Sequence, residues 1–297
     1  MPTGAGETST REGAVGVQGS GENEGRTGND GRADVPAGVD PTQPSVARVY
    51  DYYLGGSHNF ESDRVFAQRV LAQMPDLVSV AQENRAFLRR AVSYLCAQGV
   101  DQFLDLGSGI PTVGNVHEVV HAANPAATVV YVDHDPVAVT HSTELLRDVP
   151  HADAIAGDLR DVRAITGHPL VRDRFDRRRP VAVLLVSVLH FVGDDDGPAD
   201  VVGEYLADAA RGSHLVISHA SDEGRPDASS AQAVYNQNRS PNRMRMRTGA
   251  EVEELFGDLT LLDPGVVRIP LWRPDSPDDV RPGADLYPGV AGMARKD

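Results

Sequence analysis

The stretch QFLDLGSGIP, residues 102–111, indicates the fold, because an apolar run ends there at two closely spaced glycines. Gly107 and Gly109 let the chain turn sharply and let its backbone approach a ligand that a Cβ atom would block. A buried strand followed by such a loop is typical of the first strand of a nucleotide-binding sheet. A dinucleotide fingerprint would need a further glycine where Thr112 stands, which disfavours NAD. Asp105 instead favours a ligand with an ammonium or sulfonium group.

Further apolar runs of strand length follow along the chain, at residues 128–133, 152–156, 181–186 and 214–219. The segments between these runs have the length of helices, which suits right-handed crossovers between parallel strands. Two runs at 259–262 and 266–269 and a last one near Val290 favour antiparallel strands at the edge of the sheet. We therefore predict an α/β fold, a doubly wound Rossmann-like sheet that is mostly parallel and has an antiparallel edge strand.

The composition divides the 297 residues into a tail, a helical cap and a sheet domain. Residues 1–44 hold ten of the 29 glycines and no aromatic residue, so we predict a disordered tail there. Helical periodicity, interrupted by a polar turn at residues 55–59, predicts an N-terminal helical cap over residues 45–100. Residues 101–297 then form the Rossmann-like domain.

The net charge of −15 and the single cysteine, Cys96, exclude several classes of protein. An acidic chain opposes general binding to nucleic acids, which requires clustered cations. One cysteine cannot form an internal disulfide, which favours a reducing cytoplasm. The longest apolar stretch, residues 181–192, is shorter than the roughly 20 residues that span a bilayer. We therefore expect a cytoplasmic protein that acts on a small molecule, with neither a nucleic acid nor a membrane as partner.

Polar residues end the next three strands, at the edge of the sheet where open α/β folds bind their ligands. Asp133, followed by His134, ends the second strand, where a carboxylate can accept both hydroxyl hydrogens of a ribose. Asp158 follows the third strand and is a candidate partner for the exocyclic amine of adenine, with the backbone N–H of Leu159 facing a ring nitrogen. The alternative for Asp158 is a plain helix cap. Ser187 brings a hydroxyl to the same edge after the fourth strand.

Four segments together resemble a known family, namely SVARVYDYYLGGSHNFESDR (45–64), FLDLGSGIPTVGNVHEV (103–119), VVYVDHDPVAV (129–139) and LLDPGVVRIPLWRPD (261–275). They are similar to an actinobacterial family of class I S-adenosylmethionine-dependent methyltransferases that was formerly a domain of unknown function. The resemblance covers about residues 44–295 and implies S-adenosylmethionine as cofactor, a seven-stranded sheet and helices that cover the site. It also implies cofactor contacts at Asp105, Gly107, Ser108, Gly109, Asp133 and Asp158. Pro111 departs from the pattern, because it stands where the usual loop has its third glycine.

The implied reaction is a displacement at a sulfonium methyl, for which a protein mainly aligns the reactants and excludes water. His190 is the candidate general base for an acceptor that carries a proton, and its alternative role is that of a histidine satisfied by packing. We expect Tyr50, Tyr53, His58 and Asn59 to fold over the cofactor and shape the acceptor pocket. A regulatory protein that binds the cofactor without transferring a methyl group is the alternative function.

A competing motif, HEVVH at residues 117–121, fits the HExxH pattern of zinc metalloproteases. Two imidazoles one helical turn apart can bind zinc, with Glu118 as the base. We expect no metal site, because the motif opens the helix after the glycine loop and should pack along the sheet. The metalloprotease is kept as a further alternative function.

The densest basic run consists of Arg239, Arg243, Arg245 and Arg247. An anionic acceptor or a nucleic acid is one interpretation of such a run. We favour the other, a solvated loop whose arginines form ion pairs with the acidic surface.

Overall fold

A computed structural model describes residues 35, 39–111, 114–237 and 243–297 of the chain. Apart from Val35 and residues 39–44, the predicted tail lies outside the described residues. Val35–Asp297 form one compact unit, in which the predicted cap and the predicted sheet domain pack together. In the described ranges, none of the helices combines the length and the apolar character that spanning a lipid bilayer requires.

The helices and strands follow one another closely along the described chain. The helices are α1 (Val46–Tyr53), α2 (Glu61–Leu71), α3 (Leu77–Ala97), α4 (Val116–Ala123), α5 (Pro136–Leu146), α6 (Val162–Thr166), α7 (Pro169–Arg174), α8 (Pro198–Ala207), α9 (Pro226–Gln237) and α10 (Gly249–Glu254). The strands are β1 (Gln102–Leu106), β2 (Thr128–Asp133), β3 (Ala152–Ala156), β4 (Ala182–Val186), β5 (His214–Ala220), β6 (Thr260–Leu261), β7 (Val267–Arg268) and β8 (Gly289–Arg295).

The strands form one sheet in the order β3-β2-β1-β4-β5-β8-β6, and β7 also pairs with β8. Strands β1 to β5 are parallel, whereas β8 runs antiparallel to its neighbours β5, β6 and β7. This order confirms the doubly wound, mostly parallel sheet with an antiparallel edge. It also makes β1 and β4 the neighbours between which the chain reverses its winding direction, the place where such sheets bind ligands.

The described sheet has eight strands rather than the expected seven, because its outermost position is split. β6 pairs with Ala294 and Arg295 of β8, and β7 pairs with Val290 and Ala291 of the same strand. Between them, Pro264 has no N–H to donate to a ladder, and the backbone at Gly265 turns with a φ of 82°. The two runs predicted at 259–262 and 266–269 therefore form two separate short strands beside β8.

Apolar side chains cover both faces of the sheet. Every residue of β1 is buried, which is the pattern of a parallel strand with helices on either side. Leu104 packs in one core cluster with Ile165 of α6, and Phe103 packs in the other with Phe87 of α3. Because successive side chains alternate between the faces, Asp105 lies on the same face as Phe103, the face that α3 covers.

A third cluster joins helices α1, α2 and α9 into a cap. It contains Val49 and Tyr53 of α1, Phe66 of α2 and Ala231 of α9, together with Met246. Periodicity before residue 100 predicted the first two helices, whereas α9 follows β5 and belongs to the cap only through the tertiary fold. The cap is therefore built from two distant parts of the chain.

Candidate cofactor and acceptor site

One cavity of about 190 Å³ lies between the carboxyl ends of β1–β4 and the helices α1, α3 and α9. Its wall brings together most of the residues that the sequence singled out: Tyr50, Tyr53, Asp105, Gly107, Ser108, Gly109, Asp133, His134, Asp158, Leu159, Ser187 and His190. Within the described part of the chain, His58 and Asn59 do not belong to this wall. The cavity therefore has a polar half at the strand ends and a second half under the cap.

The glycine loop after β1 forms the floor of the polar half. Gly107 has a φ of +69°, and a Cβ atom there would lie 2.2 Å from a methyl group of Val188, so a side chain does not fit. Gly109 has a φ of +68°, but nothing lies within 4 Å of the position of its Cβ. Packing thus requires a glycine at position 107, and the positive φ favours one at position 109. The space beside Gly109 is open to a ligand.

Asp133 holds the ends of β1 and β2 together. One carboxylate oxygen accepts the Gly109 N–H at 2.7 Å, and the other accepts the Asp135 N–H at 2.8 Å. The residue is 6% exposed and lines the cavity. Since each carboxylate oxygen can accept two hydrogen bonds, Asp133 retains acceptor capacity for the hydroxyl groups of a ligand.

Asp105 and Arg85 form an oppositely charged pair of groups in the same part of the wall. Burial raises the pKa of Asp105 to about 7, and the positive charge of Arg85 opposes that rise. Sequence reasoning missed Arg85, which lies in the middle of α3. The signal was its spacing of four residues from Ala81 and three from Leu88, which places an arginine on the apolar face of the helix.

Asp158 is engaged by a neighbour in the sequence. The Arg160 guanidinium contacts its carboxylate at 2.5 Å, and the Arg160 N–H donates to it at 2.9 Å. The hydrogen bond from the Arg160 side chain lowers the pKa of Asp158. Arg160 also lines the cavity, so the carboxylate that we assigned to an adenine amine already has a cationic partner there.

Ser187 and His190 lie on the turn that follows β4. Ser187 has a φ of 57°, and its N–H donates to the Ser218 hydroxyl at 3.0 Å. His190 is buried, and its Nδ1 accepts the Ala220 N–H at 3.4 Å. Burial also lowers the pKa of His190 well below its usual range, so the ring is neutral at pH 7. With Nδ1 as acceptor, the proton of the neutral ring lies on Nε2, and the ring can donate but not accept through that atom.

The cap contributes Tyr50 and Tyr53 to the wall, and their hydroxyl groups have different hydrogen-bond partners. The Tyr50 hydroxyl accepts a hydrogen bond from Asn84 at 3.0 Å and donates to the Ala81 carbonyl at 3.3 Å. The hydroxyls of Tyr53 and Tyr235 lie 3.3 Å apart and form a hydrogen-bonded pair. Asn84 also accepts from the Ser218 hydroxyl at 2.7 Å, which ties α3 to the end of β5.

His58 and Asn59 fasten the turn between α1 and α2 instead of lining the cavity. The His58 N–H and the Asn59 side-chain amide both donate to one oxygen of the buried Asp51, at 2.9 and 2.8 Å. The ring of His58 also contacts the ring of His141 in α5, with centroids 3.9 Å apart. These two residues therefore support the cap and lie outside the wall of the described cavity.

The HExxH residues are used in the packing of α4. His117 Nδ1 lies 2.8 Å from the Tyr131 hydroxyl, and His121 Nε2 lies 3.0 Å from the Ala127 carbonyl. Glu118 accepts the N–H groups of Gly114 and Asn115 and so caps the start of the helix. In the described ranges, no three His, Cys, Asp or Glu side chains converge as metal ligands do. The motif thus has a structural explanation.

Part of the basic run is buried, so the interpretation of a solvated loop is wrong for Arg247. This residue is 3% exposed, donates to the carbonyls of Leu189 and Val192, and pairs with Asp194 at 2.7 Å. Arg245 does form the expected surface ion pair with Asp194. Arg239 lies outside the described residues. Burial of Arg247 positions the turn that carries His190, which sequence spacing alone did not indicate.

Comparisons with known proteins bear on the family and the fold. A family model described as S-adenosyl methyltransferase matches residues 32–297. A solved structure from Thermobifida fusca YX, assigned as a methyltransferase, is 43% identical with a TM-score of 0.82, and the match covers 88% of this chain and 98% of that one. A DUF574 family protein from Streptomyces avermitilis MA-4680 is 34% identical with a TM-score of 0.83, covering 87% of this chain and 99% of that one.

A more distant structure shares the fold alone. An O-methyltransferase family protein from Burkholderia thailandensis is 15% identical with a TM-score of 0.50, and the match covers 81% of this chain and 65% of that one. A search of curated proteins found no match. The family match over nearly the whole described chain and the two similar structures lead to one conclusion: the chain belongs to the S-adenosyl methyltransferase family and is an S-adenosylmethionine-dependent enzyme.

Proposed function

We propose that this enzyme methylates a small molecule in the cytoplasm, and that cofactor and acceptor share the cavity under the cap. The observation that carries the proposal is the continuity of that cavity from the ends of β1–β4 to the side chains of α1, α3 and α9. A small molecule suits an acceptor half that is walled by helices on several sides. The free, partly buried Cys96 is in keeping with a reducing compartment.

The polar half fits S-adenosylmethionine. When bound, the cofactor supplies a methyl group that is activated by the positive sulfur. The Asp105 carboxylate suits the ammonium group of its amino-acid end, and the Arg85 guanidinium suits the carboxylate of the same end. The backbone of Gly107, Ser108 and Gly109 leaves room for the chain between them and the ribose.

The residues at the ends of β2, β3 and β4 contact the adenosyl group in this proposal. Asp133 accepts the ribose hydroxyls with the lone pairs that its two backbone bonds leave. Asp158, held by Arg160, and the Leu159 N–H face the adenine, while His134 and Ser187 complete the wall at either side. His190 acts as a neutral hydrogen-bond donor near the acceptor, in keeping with its bond to the Ala220 N–H. The chain's own contribution is alignment and exclusion of water.

Calorimetric titration tests this proposal. We expect the wild-type protein to bind S-adenosylmethionine and S-adenosylhomocysteine but not NAD, and Asp133→Asn to bind both adenosyl ligands about tenfold more weakly, because one acceptor oxygen is lost. The matched control is Asp258→Asn, an exposed acid before β6 that lies outside the cavity wall. Equal affinities of the Asp133 variant and the wild type would refute the ribose assignment, and binding of NAD alone would refute the cofactor.

A further inference from the structure

The half of the cavity under the cap, here called the acceptor half, is lined mainly by aromatic and thioether side chains. Its wall contains Tyr53 and Phe191, the methionines Met74, Met244 and Met246, and Tyr235 of α9. Phe66 and Phe191 pack against the Tyr235 ring, with centroids 5.1 and 6.0 Å away. Aromatic and thioether side chains of this kind pack well against the faces and edges of a planar ring.

Among the described residues of the wall, the charged or readily charged side chains lie in the other half. They are Arg85 of α3 and, at or beside the ends of β1–β3, Asp105, Asp133, His134, Asp158 and Arg160. The acceptor half contains His190 and His219, and burial lowers the pKa of both, that of His219 to about 4. Both rings are therefore neutral at pH 7, and an ionised acceptor would lose its hydration there without gaining a counter-ion.

Four tyrosines line the cavity, and their hydroxyl groups differ in what they leave for a ligand. Tyr50 donates to the Ala81 carbonyl, and Tyr287 donates to the Val80 carbonyl. In the Tyr53–Tyr235 pair, one hydroxyl donates to the other, so one of the two protons remains. Among the described residues, this proton has no other hydrogen-bond acceptor. Burial raises the pKa of Tyr235 to about 12 and raises that of Tyr53 as well, so both hydroxyls stay protonated.

We propose that the acceptor is an uncharged aromatic compound with an oxygen substituent, and that the Tyr53–Tyr235 hydroxyl pair donates a hydrogen bond to that oxygen. This inference rests on the proposed function, because it places the acceptor in the half of the cavity that the cofactor leaves. The apolar wall selects the ring, and the hydroxyl pair orients the bound molecule. Since none of the described side chains in that half is charged at pH 7, the wall rejects ionised relatives. Tyr53 and Tyr235 are in this sense specificity-determining residues.

A series of naphthalene derivatives tests the proposal at pH 7 on protein saturated with S-adenosylhomocysteine. The probes share one ring system: 2-naphthol is neutral with an oxygen, naphthalene is neutral without one, 2-naphthoate is an anion and 2-naphthylmethylammonium is a cation. We expect 2-naphthol to bind about fivefold more tightly than naphthalene, for one hydrogen bond. The two ions should bind at least about tenfold more weakly than 2-naphthol. An ion that binds as tightly as 2-naphthol, or no binding of 2-naphthol, would overturn the proposal.

Tyrosine variants separate the hydroxyl pair from the ring contacts. Either single change, Tyr53→Phe or Tyr235→Phe, leaves one hydroxyl that can still donate, so 2-naphthol should lose little affinity. The double variant should bind 2-naphthol only as well as naphthalene. Tyr52→Phe, on the same helix but outside the described wall, is the matched control and should match the wild type. A double variant that keeps the preference for 2-naphthol would show that the pair is not the donor.

The first titration of each protein keeps the two proposals distinguishable. If S-adenosylhomocysteine does not bind to the wild type, the proposed function itself fails. If it binds with the same affinity to all variants, the variants are folded, and a missing preference among the naphthalene probes then contradicts the acceptor class alone.

Discussion

The buried carboxyl of Asp105 makes both stability and ligand binding depend on pH. Its pKa of about 7 in the folded protein lies above the ordinary value of 3.8 because the carboxyl is desolvated. At a pH between these two values, Asp105 is protonated in the folded state and ionised in the unfolded state. This group therefore lowers the free energy of unfolding as the pH rises toward 7, and a cationic ligand that pairs with the carboxylate relieves that cost.

We predict that binding of S-adenosylhomocysteine strengthens about tenfold from pH 6 to pH 8. Only the ionised form of Asp105 can pair with the ammonium group of the ligand, and with a pKa of about 7 the ionised fraction rises from about a tenth to about nine tenths over that range. Calorimetry in matched buffers measures the dissociation constant at each pH. Asp105→Asn, which keeps the shape but cannot ionise, should bind weakly and lose the slope. A wild-type affinity that is flat in pH would contradict the assigned role.

At the residue scale, the sequence indicated the candidate site residues at the ends of strands but not the arginines that pack beside the site. Asp105 and Asp133 could be proposed from the sequence because the last residues of parallel strands meet at one edge of the sheet. Arg85 and Arg247 could not, because an arginine in a helix or in a basic run is ordinarily solvated. Tertiary packing half-buries Arg85 and buries Arg247, which is 3% exposed, on the sides of the site.

At the scale of elements, a buried ion pair network holds the cap to the sheet. Arg48 of α1 contacts Asp63 of α2 at 2.8 Å and Asp135, the first residue before α5, at 3.4 Å. All three side chains are at most 5% exposed. Asp135 also accepts the Val137 N–H and so caps α5, two residues beyond Asp133. The helix that covers the cavity is thus linked directly to the loop at the end of β2.

We predict that Arg48→Met loosens the cap without unfolding the sheet. Removing the cation leaves two carboxylates buried without their partner, which costs about 3–5 kcal/mol. Hydrogen exchange should accelerate at the amides of α1 and α2, while those of β1 and β2 keep their protection. Arg69→Met is the matched control, since this arginine is exposed on α2. Unchanged exchange in α1 would show that the network does not hold the cap.

The strands were predicted within a residue or so, and the helices of the cap only in part. Largely apolar runs of five or six residues identified β1 to β5, because strands buried on both faces need no alternation. Periodicity indicated helices in the cap but not where α3 begins; its first turns, from Leu77, contribute Leu77, Val80 and Ala81 to the cap cluster. α9 has a weakly amphipathic sequence, so its place in the cap followed from no local pattern.

At the scale of the whole molecule, α3 and the sheet share one core through Trp272. This tryptophan is fully buried and packs edge-on against Phe87 at 5.2 Å and Tyr94 at 6.4 Å. Arg90 of α3 donates to the carbonyls of Trp272 and Ile269. The segment between β7 and β8 therefore clamps α3 onto the face that carries Asp105.

We predict that Trp272 fluorescence and far-UV circular dichroism report one shared urea transition. The chain has a single tryptophan, so the fluorescence signal follows the docking of α3 onto the sheet. S-adenosylhomocysteine at about 100 times its dissociation constant should shift both midpoints together, by about 2.7 kcal/mol in free energy of unfolding. A fluorescence transition that precedes the loss of secondary structure would mean that α3 detaches before the sheet unfolds.

The split outer edge of the sheet bears on how copies of this protein meet one another. An exposed strand edge offers unpaired N–H and C=O groups to any other chain, and long flat edges are sites of aggregation. Here that edge consists of β6 and β7, two residues each, separated by a segment with Pro264 and Gly265. A second chain can therefore pair with no more than two consecutive residues at a time. The interruption between β6 and β7 therefore limits growth of the sheet at this edge.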